Sequence, residues 1–208
     1  HLDAAWAGNV MICPEYRYLW DGADAADSII INPYKGLGVQ FDGAIQFIAD
    51  PAPQIRSMGL RPDYLQTLGQ EELTNFNEWT VPLGRRFRAL KLWFTLRAYG
   101  LKGLREMVRN HINWTAELAE KFRETPNFKI TTEPCLALFS FQYAPDGKDA
   151  NALTQTLLQK INDDGRVYLT QTVHEGQFVI RMTAGSFECT RDDVMMVHQV
   201  ATELAATL

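Results

Sequence analysis

The chain lacks the features that mark most specialised classes of protein. Its 208 residues hold only three cysteines, Cys13, Cys135 and Cys189, and no CxxC pair. Neither a disulfide framework nor a zinc knuckle is implied, and a reducing compartment, the cytoplasm, fits best. No apolar run approaches the roughly 20 residues that a membrane span needs. Positive charge is not in excess: 20 Lys and Arg face 25 Asp and Glu, for a net charge of −5. That balance argues against a general nucleic-acid binder. There is no HExxH, GxSxG or P-loop pattern. The four histidines (His1, His111, His174, His198) have no ligand spacing, so no metal is expected. Internal repeats and low-complexity segments are absent too. So are an initiator Met, a basic leader and a signal-peptide core. His1-Leu2-Asp3-Ala4-Ala5-Trp6-Ala7-Gly8 reads like the end of a buried strand running into a loop, which suggests a piece of something longer.

What is present is an ordinary globular composition, 46% hydrophobic and 22% charged. Ser28-Ile29-Ile30-Ile31 is β-branched and continuous, the pattern of a fully buried strand, and Asn32-Pro33 ends it. Val39–Ile48 suggests further strand bent at Gly43. Pro51, Pro53, Gly59, Pro62 and Gly69 make residues 51–80 look like an irregular, mobile connection. A helix is expected from Leu83, with apolar spacing through Phe87, Leu90 and Phe94. After Gly100 and Gly103 a second helix puts Leu104, Val108, His111, Thr115, Leu118 and Phe122 on one face, and Thr125-Pro126-Asn127 stops it. The last third reads as an antiparallel α+β unit. Its strands are Phe128–Thr132 and Leu136–Tyr143, a helix covers Ala150–Ile161, and a hairpin turns at His174–Gln177. Thr190-Arg191-Asp192-Asp193 has the form of a capping box before a final helix.

Two positions invite chemistry. Lys35 sits at the end of the Ile run, hemmed in by apolar sequence. Desolvation there would favour the neutral amine, which can attack a carbonyl to form a Schiff base, although a strand-end lysine that snorkels to water is the simpler alternative. Asp3 lies inside an apolar run, where a lone carboxylate is costly unless it caps a helix or meets a cation such as a protonated ring nitrogen. Residues 85–109 hold eight basic side chains against one acid, Glu106, with Gly84 at the front of the expected helix as a possible anion site. Most of these arginines fit a solvated face with interface ion pairs, and Phe87, Trp93 and Phe94 are better used as core.

The strings around these residues carry a resemblance. His1–Gly8, Ile12-Cys13-Pro14-Glu15-Tyr16-Arg17, Ala26-Asp27-Ser28 and Asn32-Pro33-Tyr34-Lys35 resemble the pyridoxal-phosphate-dependent group II decarboxylases, most closely the aromatic-L-amino-acid branch. The run from Trp79 to Phe94 (Trp79-Thr80-Val81-Pro82-Leu83-Gly84-Arg85-Arg86-Phe87-Arg88 and on) is a second, longer match, and order and spacing agree along the whole chain. The resemblance implies an α/β fold of the fold-type I kind. Residues 1–124 would be the C-terminal part of the large cofactor-binding domain, with a mobile loop and connecting helices. Residues 125–208 would be the small α+β C-terminal domain. It implies a homodimer that also needs an N-terminal half, as a separate chain or otherwise.

By the same resemblance, Lys35 holds pyridoxal 5'-phosphate as a Schiff base. Asp3 pairs with the ring nitrogen, Ala5 lies against the ring, and Asn32 and the partner subunit's Gly84 approach the phosphate. Tyr64, on a loop that crosses to the neighbouring site, returns a proton after CO₂ leaves, and a tyrosine there points to simple decarboxylation. The implied reaction turns an aromatic L-amino acid into its amine and CO₂. A preference for histidine or an acidic amino acid, or a non-catalytic paralogue, are the alternatives. Tyr34 stands where the family usually has His, and Gly36 and Gly38 where it has bulky residues. These departures bear on substrate preference.

Overall fold

The computed structural model describes residues 1–62, 64 and 73–208. They divide into two compact units, His1–Gly100 and Leu101–Leu208. The sequence had set a domain boundary 24 residues later, at the end of a helix. In the structure that helix, α3 (Ala89–Glu124), is broken at Gly100, whose φ of 66° and ψ of 163° lie outside anything an L side chain tolerates.

The first unit is built on a three-stranded sheet. Strand β1 (Leu2–Asp3) runs parallel to β2 (Ser28–Ile31), and β3 (Ile45–Ile48) pairs antiparallel with β2 on its other side. Between β1 and β2 the chain passes through three short 3₁₀ segments, the first of them Ala7–Ile12. A single turn, α1 (Pro33–Gly36), follows β2 directly, because Pro33 pre-sets the helical φ at its first position. Several expectations change here. Ile29, Ile30 and Ile31 are half-buried within these residues rather than fully buried. Of Val39–Ile48 only the last four residues form strand. Residues 51–80 are not wholly irregular, since α2 (Ala52–Met58) and a 3₁₀ segment at Phe76–Trp79 lie inside them. The helix expected from Leu83 begins at Ala89, and Phe87, Trp93 and Phe94 are exposed instead of forming core.

The second unit is an antiparallel sheet in the order β4-β5-β7-β6: Phe128–Cys135, Leu138–Tyr143, Gln177–Thr183 and Thr170–His174. Helices α4 (Ala150–Asp164) and α5 (Arg191–Ala205) complete it with the second half of α3. The apolar face read from the sequence is the buried one: Leu104, Val108, His111, Thr115, Leu118 and Phe122 all point inward. Phe122 stacks on Phe141 at 4.2 Å and lies beside Phe139 and Phe128. The capping box at Thr190 forms as expected, with Thr190 and Asp193 exchanging side-chain and backbone hydrogen bonds. No helix among the described residues is long and apolar enough to cross a membrane.

Candidate active site

A parallel strand pair brings its two carboxyl ends to one edge, and open α/β sheets bind ligands beyond that edge. Here the pairing sets Asp3 opposite Ile30. The ladder continues past the strands: Ala4 N–H donates to the Ile30 carbonyl at 3.1 Å, and Asn32 N–H donates to the Ala5 carbonyl at 3.0 Å. Asp3 and Ala5, from the first segment, therefore lie beside Asn32 and the turn that carries Lys35, from the second. Lys35 N–H donates to the Asn32 carbonyl at 3.0 Å, which fixes the start of that turn.

The side chains at this edge are conspicuously short of partners. The Asp3 carboxylate accepts one hydrogen bond, from its near neighbour Ala5 N–H at 3.0 Å, and meets no cation among the described residues. It does not cap a helix as one expectation had it; the first 3₁₀ segment starts after Trp6 and has no side-chain cap. Lys35 is exposed, so the described residues do not supply the desolvation expected from its apolar surroundings. Asn32 is buried, donates from Nδ2 to the Tyr34 hydroxyl at 3.0 Å, and leaves its Oδ1 without a partner. Tyr34 meets Phe41 edge-on at 4.9 Å.

A residue that sequence reasoning missed holds this edge together. Asn9 is buried, and its Nδ2 lies within hydrogen-bond distance of three carbonyls: Ala5 at 3.3 Å, Trp6 at 3.0 Å and Asn32 at 3.0 Å. Gly36 packs directly on it, and a Cβ at Gly36 would stand 2.7 Å from the Asn9 Cβ. Nothing in Gly8-Asn9-Val10 separates such an asparagine from an ordinary turn residue.

A second missed feature is Asp42. Arg88 grips its carboxylate at 2.7 Å, and Lys91 donates to its backbone carbonyl at 2.9 Å. The Arg88 hydrogen bond, with a backbone contact behind it, holds the Asp42 carboxyl down at about 2. Two of the eight basic residues thus have a defined structural task, tying the segment after α1 to the start of α3.

Tyr64 and Gly84 are not part of this cluster. Tyr64 is 79% exposed, and the residues around it, Asp63 and 65–72, which belong to the stretch expected to be mobile, lie outside the described residues. Before it, Arg61 forks onto the buried Glu78 carboxylate at 2.6 and 2.9 Å. Gly84 is exposed with nothing within 4 Å of a notional Cβ. Because α3 starts five residues later, Gly84 is not at a helix N-terminus, and that rationale for an anion site does not hold. No cluster of His, Cys, Asp and Glu suited to a metal occurs among the described residues.

An amine and a carboxylate that meets no cation among the described residues, both at the carboxyl edge of a parallel pair, match what an aldehyde and a protonated ring nitrogen would need. The fold is α/β, of the fold-type I kind found in pyridoxal-phosphate enzymes. Residues 1–144 match the pyridoxal-dependent decarboxylase conserved domain, and the chain belongs to that family, whose cofactor is pyridoxal phosphate. It is 37% identical over its whole length to the aromatic-L-amino-acid decarboxylase of Cavia porcellus, of which it covers 43%. It is 38% identical over 97% of its length to the histidine decarboxylase of Drosophila melanogaster, covering 24% of that protein. A crystal structure of Oryza sativa TDC with PLP and tryptamine superposes with a TM-score of 0.94 at 30% identity, over all of this chain and 44% of that one. The chain thus spans less than half the length of these relatives.

Proposed function

We propose that this chain supplies the C-terminal part of a pyridoxal-phosphate-dependent decarboxylase that converts an aromatic L-amino acid to its amine and CO₂. The observation that carries the reading is the pairing of β1 with β2, which sets Asp3 beside the turn bearing Lys35, neither side chain meeting an opposite charge among the described residues. When bound, the cofactor offers a ring that accepts the electron pair left as the Cα–carboxylate bond breaks. Lys35 would hold it covalently through Nζ. Asp3 would keep a proton on the ring nitrogen, Ala5 would lie under the ring, and Asn32 with Gly84 of the partner subunit would meet the phosphate. Tyr64 of the partner subunit would hold the phenolic proton that replaces CO₂ at Cα.

In this reading residues 1–124 belong to the large domain and 125–208 to the small one, and the protein works as a cytoplasmic homodimer completed by an N-terminal half. Support for the dimer comes from the exposed rings of Phe87, Trp93, Phe94 and Tyr99, apolar surface of the kind that interfaces cover. The aromatic preference rests on the relatives named above. The 38% identity to a histidine decarboxylase favours a second reading in which the substrate is histidine.

The test is direct. Pyridoxal phosphate should give a visible absorbance band, and borohydride reduction should trap it on Lys35, read by peptide mass spectrometry. L-tryptophan, L-tyrosine and L-histidine are then offered and the amines quantified. An adduct on another lysine defeats the site assignment, and turnover of histidine alone defeats the aromatic assignment.

A further inference from the structure

We propose that Asn9 is the positioning residue of this site: its buried carboxamide latches the segment carrying Asp3 to the turn carrying Lys35, and Gly36 is the glycine that lets it fit. The inference rests on the reading of Lys35 and Asp3 given above.

The hydrogen bonds form a closed circuit. The Asp3 carboxylate accepts from Ala5 N–H. The Ala5 carbonyl accepts from both Asn32 N–H and Asn9 Nδ2. The Asn32 carbonyl accepts from both Lys35 N–H and Asn9 Nδ2. One amide group therefore touches the backbone of both segments, and it does so from a position only 2% exposed. Asparagine suits the place because it presents an NH₂ without charge; an aspartate would set acceptors against three carbonyl oxygens. The surrounding contacts leave no slack. A Cβ on Gly36 would come to 2.7, 3.1 and 3.3 Å from Asn9 Cβ, Cγ and Nδ2, so the turn after Lys35 can lie on the carboxamide only as glycine. The departure at Gly36 thus serves packing against Asn9.

Placement of this kind acts through other groups. It sets where the Lys35 stem leaves the turn relative to the Asp3 carboxylate, so it should tune how firmly the cofactor is held and how readily its bond to Lys35 takes up a proton. The experiment uses the active, cofactor-loaded protein and pyridoxal phosphate itself as the probe. Three quantities are read: the rate of cofactor loss into cofactor-free buffer, the pH midpoint of the visible band, and the Tm of the cofactor-free protein. Asn9→Ala should speed cofactor loss about tenfold, the scale of one or two buried hydrogen bonds, and displace the pH midpoint. Asn9→Ser, which keeps one donor, should fall between, and Asn9→Asp should be worse than Asn9→Ala. Gly36→Ala should reproduce both changes by pushing Asn9 aside. The double variant Asn9→Gly/Gly36→Ala should be no worse than Asn9→Gly, because the obstructed carboxamide is already gone.

A parent protein with no borohydride-trapped adduct on Lys35 overturns the reading of the site and this inference with it. A parent with that adduct, beside an Asn9→Ala variant unchanged in cofactor loss and pH midpoint, overturns the inference alone. So does a faster loss that merely follows a lowered Tm with the midpoint unmoved, because a residue that only supports the fold would give that result.

Discussion

Among the described residues up to Gly100, the buried apolar side chains are Ala4, Val10, Cys13, Pro33, Leu37 and Val39, none of them aromatic. After Gly100 the picture reverses. Phe122, Phe139 and Phe141 are wholly inaccessible, with Leu118, Leu157, Ile161, Ile180 and Val200 around them. The exposed aromatics divide the other way: Phe41, Phe47, Phe76, Phe87, Trp93 and Phe94 belong to the first unit. The second unit holds itself together by apolar burial, the dominant favourable contribution to folding. The first is stitched by polar bonds (the Asn9 circuit, Arg88 on Asp42, Arg61 on Glu78) and leaves its rings for other surfaces to cover. The groups proposed to bear the chemistry, Lys35 and Asp3, lie in the first unit, where their side chains meet no opposite charge among the described residues.

The sharpest division between the units comes from Lys35→Ala. Covalent cofactor binding should vanish and amine formation fall by several orders of magnitude, while the unfolding transition of residues 101–208, followed by near-ultraviolet circular dichroism, stays where it was. Among the described residues Lys35 makes no side-chain hydrogen bond and its side chain is exposed, so its removal breaks nothing structural there. Asp3→Asn should lower turnover by roughly 10²-fold or more with the cofactor still bound, the scale of losing one preorganised electrostatic partner. Near-normal turnover in that variant would remove Asp3 from the site.

Tyr64→Phe keeps the ring and removes the phenolic proton. Amine formation should fall by roughly 10²-fold or more, the usual share of a positioned proton donor. The exposed carbanion would then meet dissolved oxygen and water, and aldehyde, ammonia and hydrogen peroxide should appear along with CO₂. Product analysis under air and under nitrogen separates the cases, and parent-rate amine formation would mean that another group donates the proton.

Phe122→Ala turns the comparison around. Removing a ring that stacks on Phe141 and touches Phe128, Phe139 and His198 should cost about 3–5 kcal/mol, read as a lowered denaturation midpoint of residues 101–208. An equal loss from Phe87→Ala, whose ring is exposed, would show that the first unit's aromatics are core after all.

Periodicity was most informative where a single chain buries its own apolar face. The stripe from Leu104 to Phe122 and the Thr190 capping box were readable because local pattern and final packing agree. It misled in the first unit. Phe87, Trp93 and Phe94 look like core in sequence and stand exposed here, and the Ile29–Ile31 run is only half-buried. The helix was read from Leu83 because apolar spacing continues upstream of Ala89, although Arg88 is drawn off to Asp42. At the candidate site the motif around Lys35 and Asp3 was legible through resemblance. Asn9 was not, since its role depends on a 23-residue separation in sequence that only the β1–β2 pairing closes.

The smallest expected effect is a pH dependence confined to the second unit. His111 is buried on the inner face of α3, and desolvation pushes its imidazole below the ordinary value of 6.5. His198, whose Nε2 lies 2.8 Å from the Thr125 hydroxyl, is pushed down chiefly by burial and then by the Lys121 charge. In the unfolded chain both take up a proton as the pH falls through about 6.5, and in the folded unit they resist it. Over that range the unfolded state binds more protons, so stability rises with pH and is lost as pH falls below 6.5. The paired carboxylates act in a separate window. Glu117 on Arg191 and Asp164 on Arg166 are held below ordinary values of 4.5 and 3.8, so their contribution is intact above about pH 5 and lost only below it. Thermal unfolding of residues 101–208 should therefore drop by a few degrees between pH 7 and pH 5.5. His111→Gln should flatten that slope and His198→Gln should flatten it less, since His198 is the less buried of the two. A slope unchanged in the His111→Gln/His198→Gln double variant would mean that neither ring is held neutral by the fold.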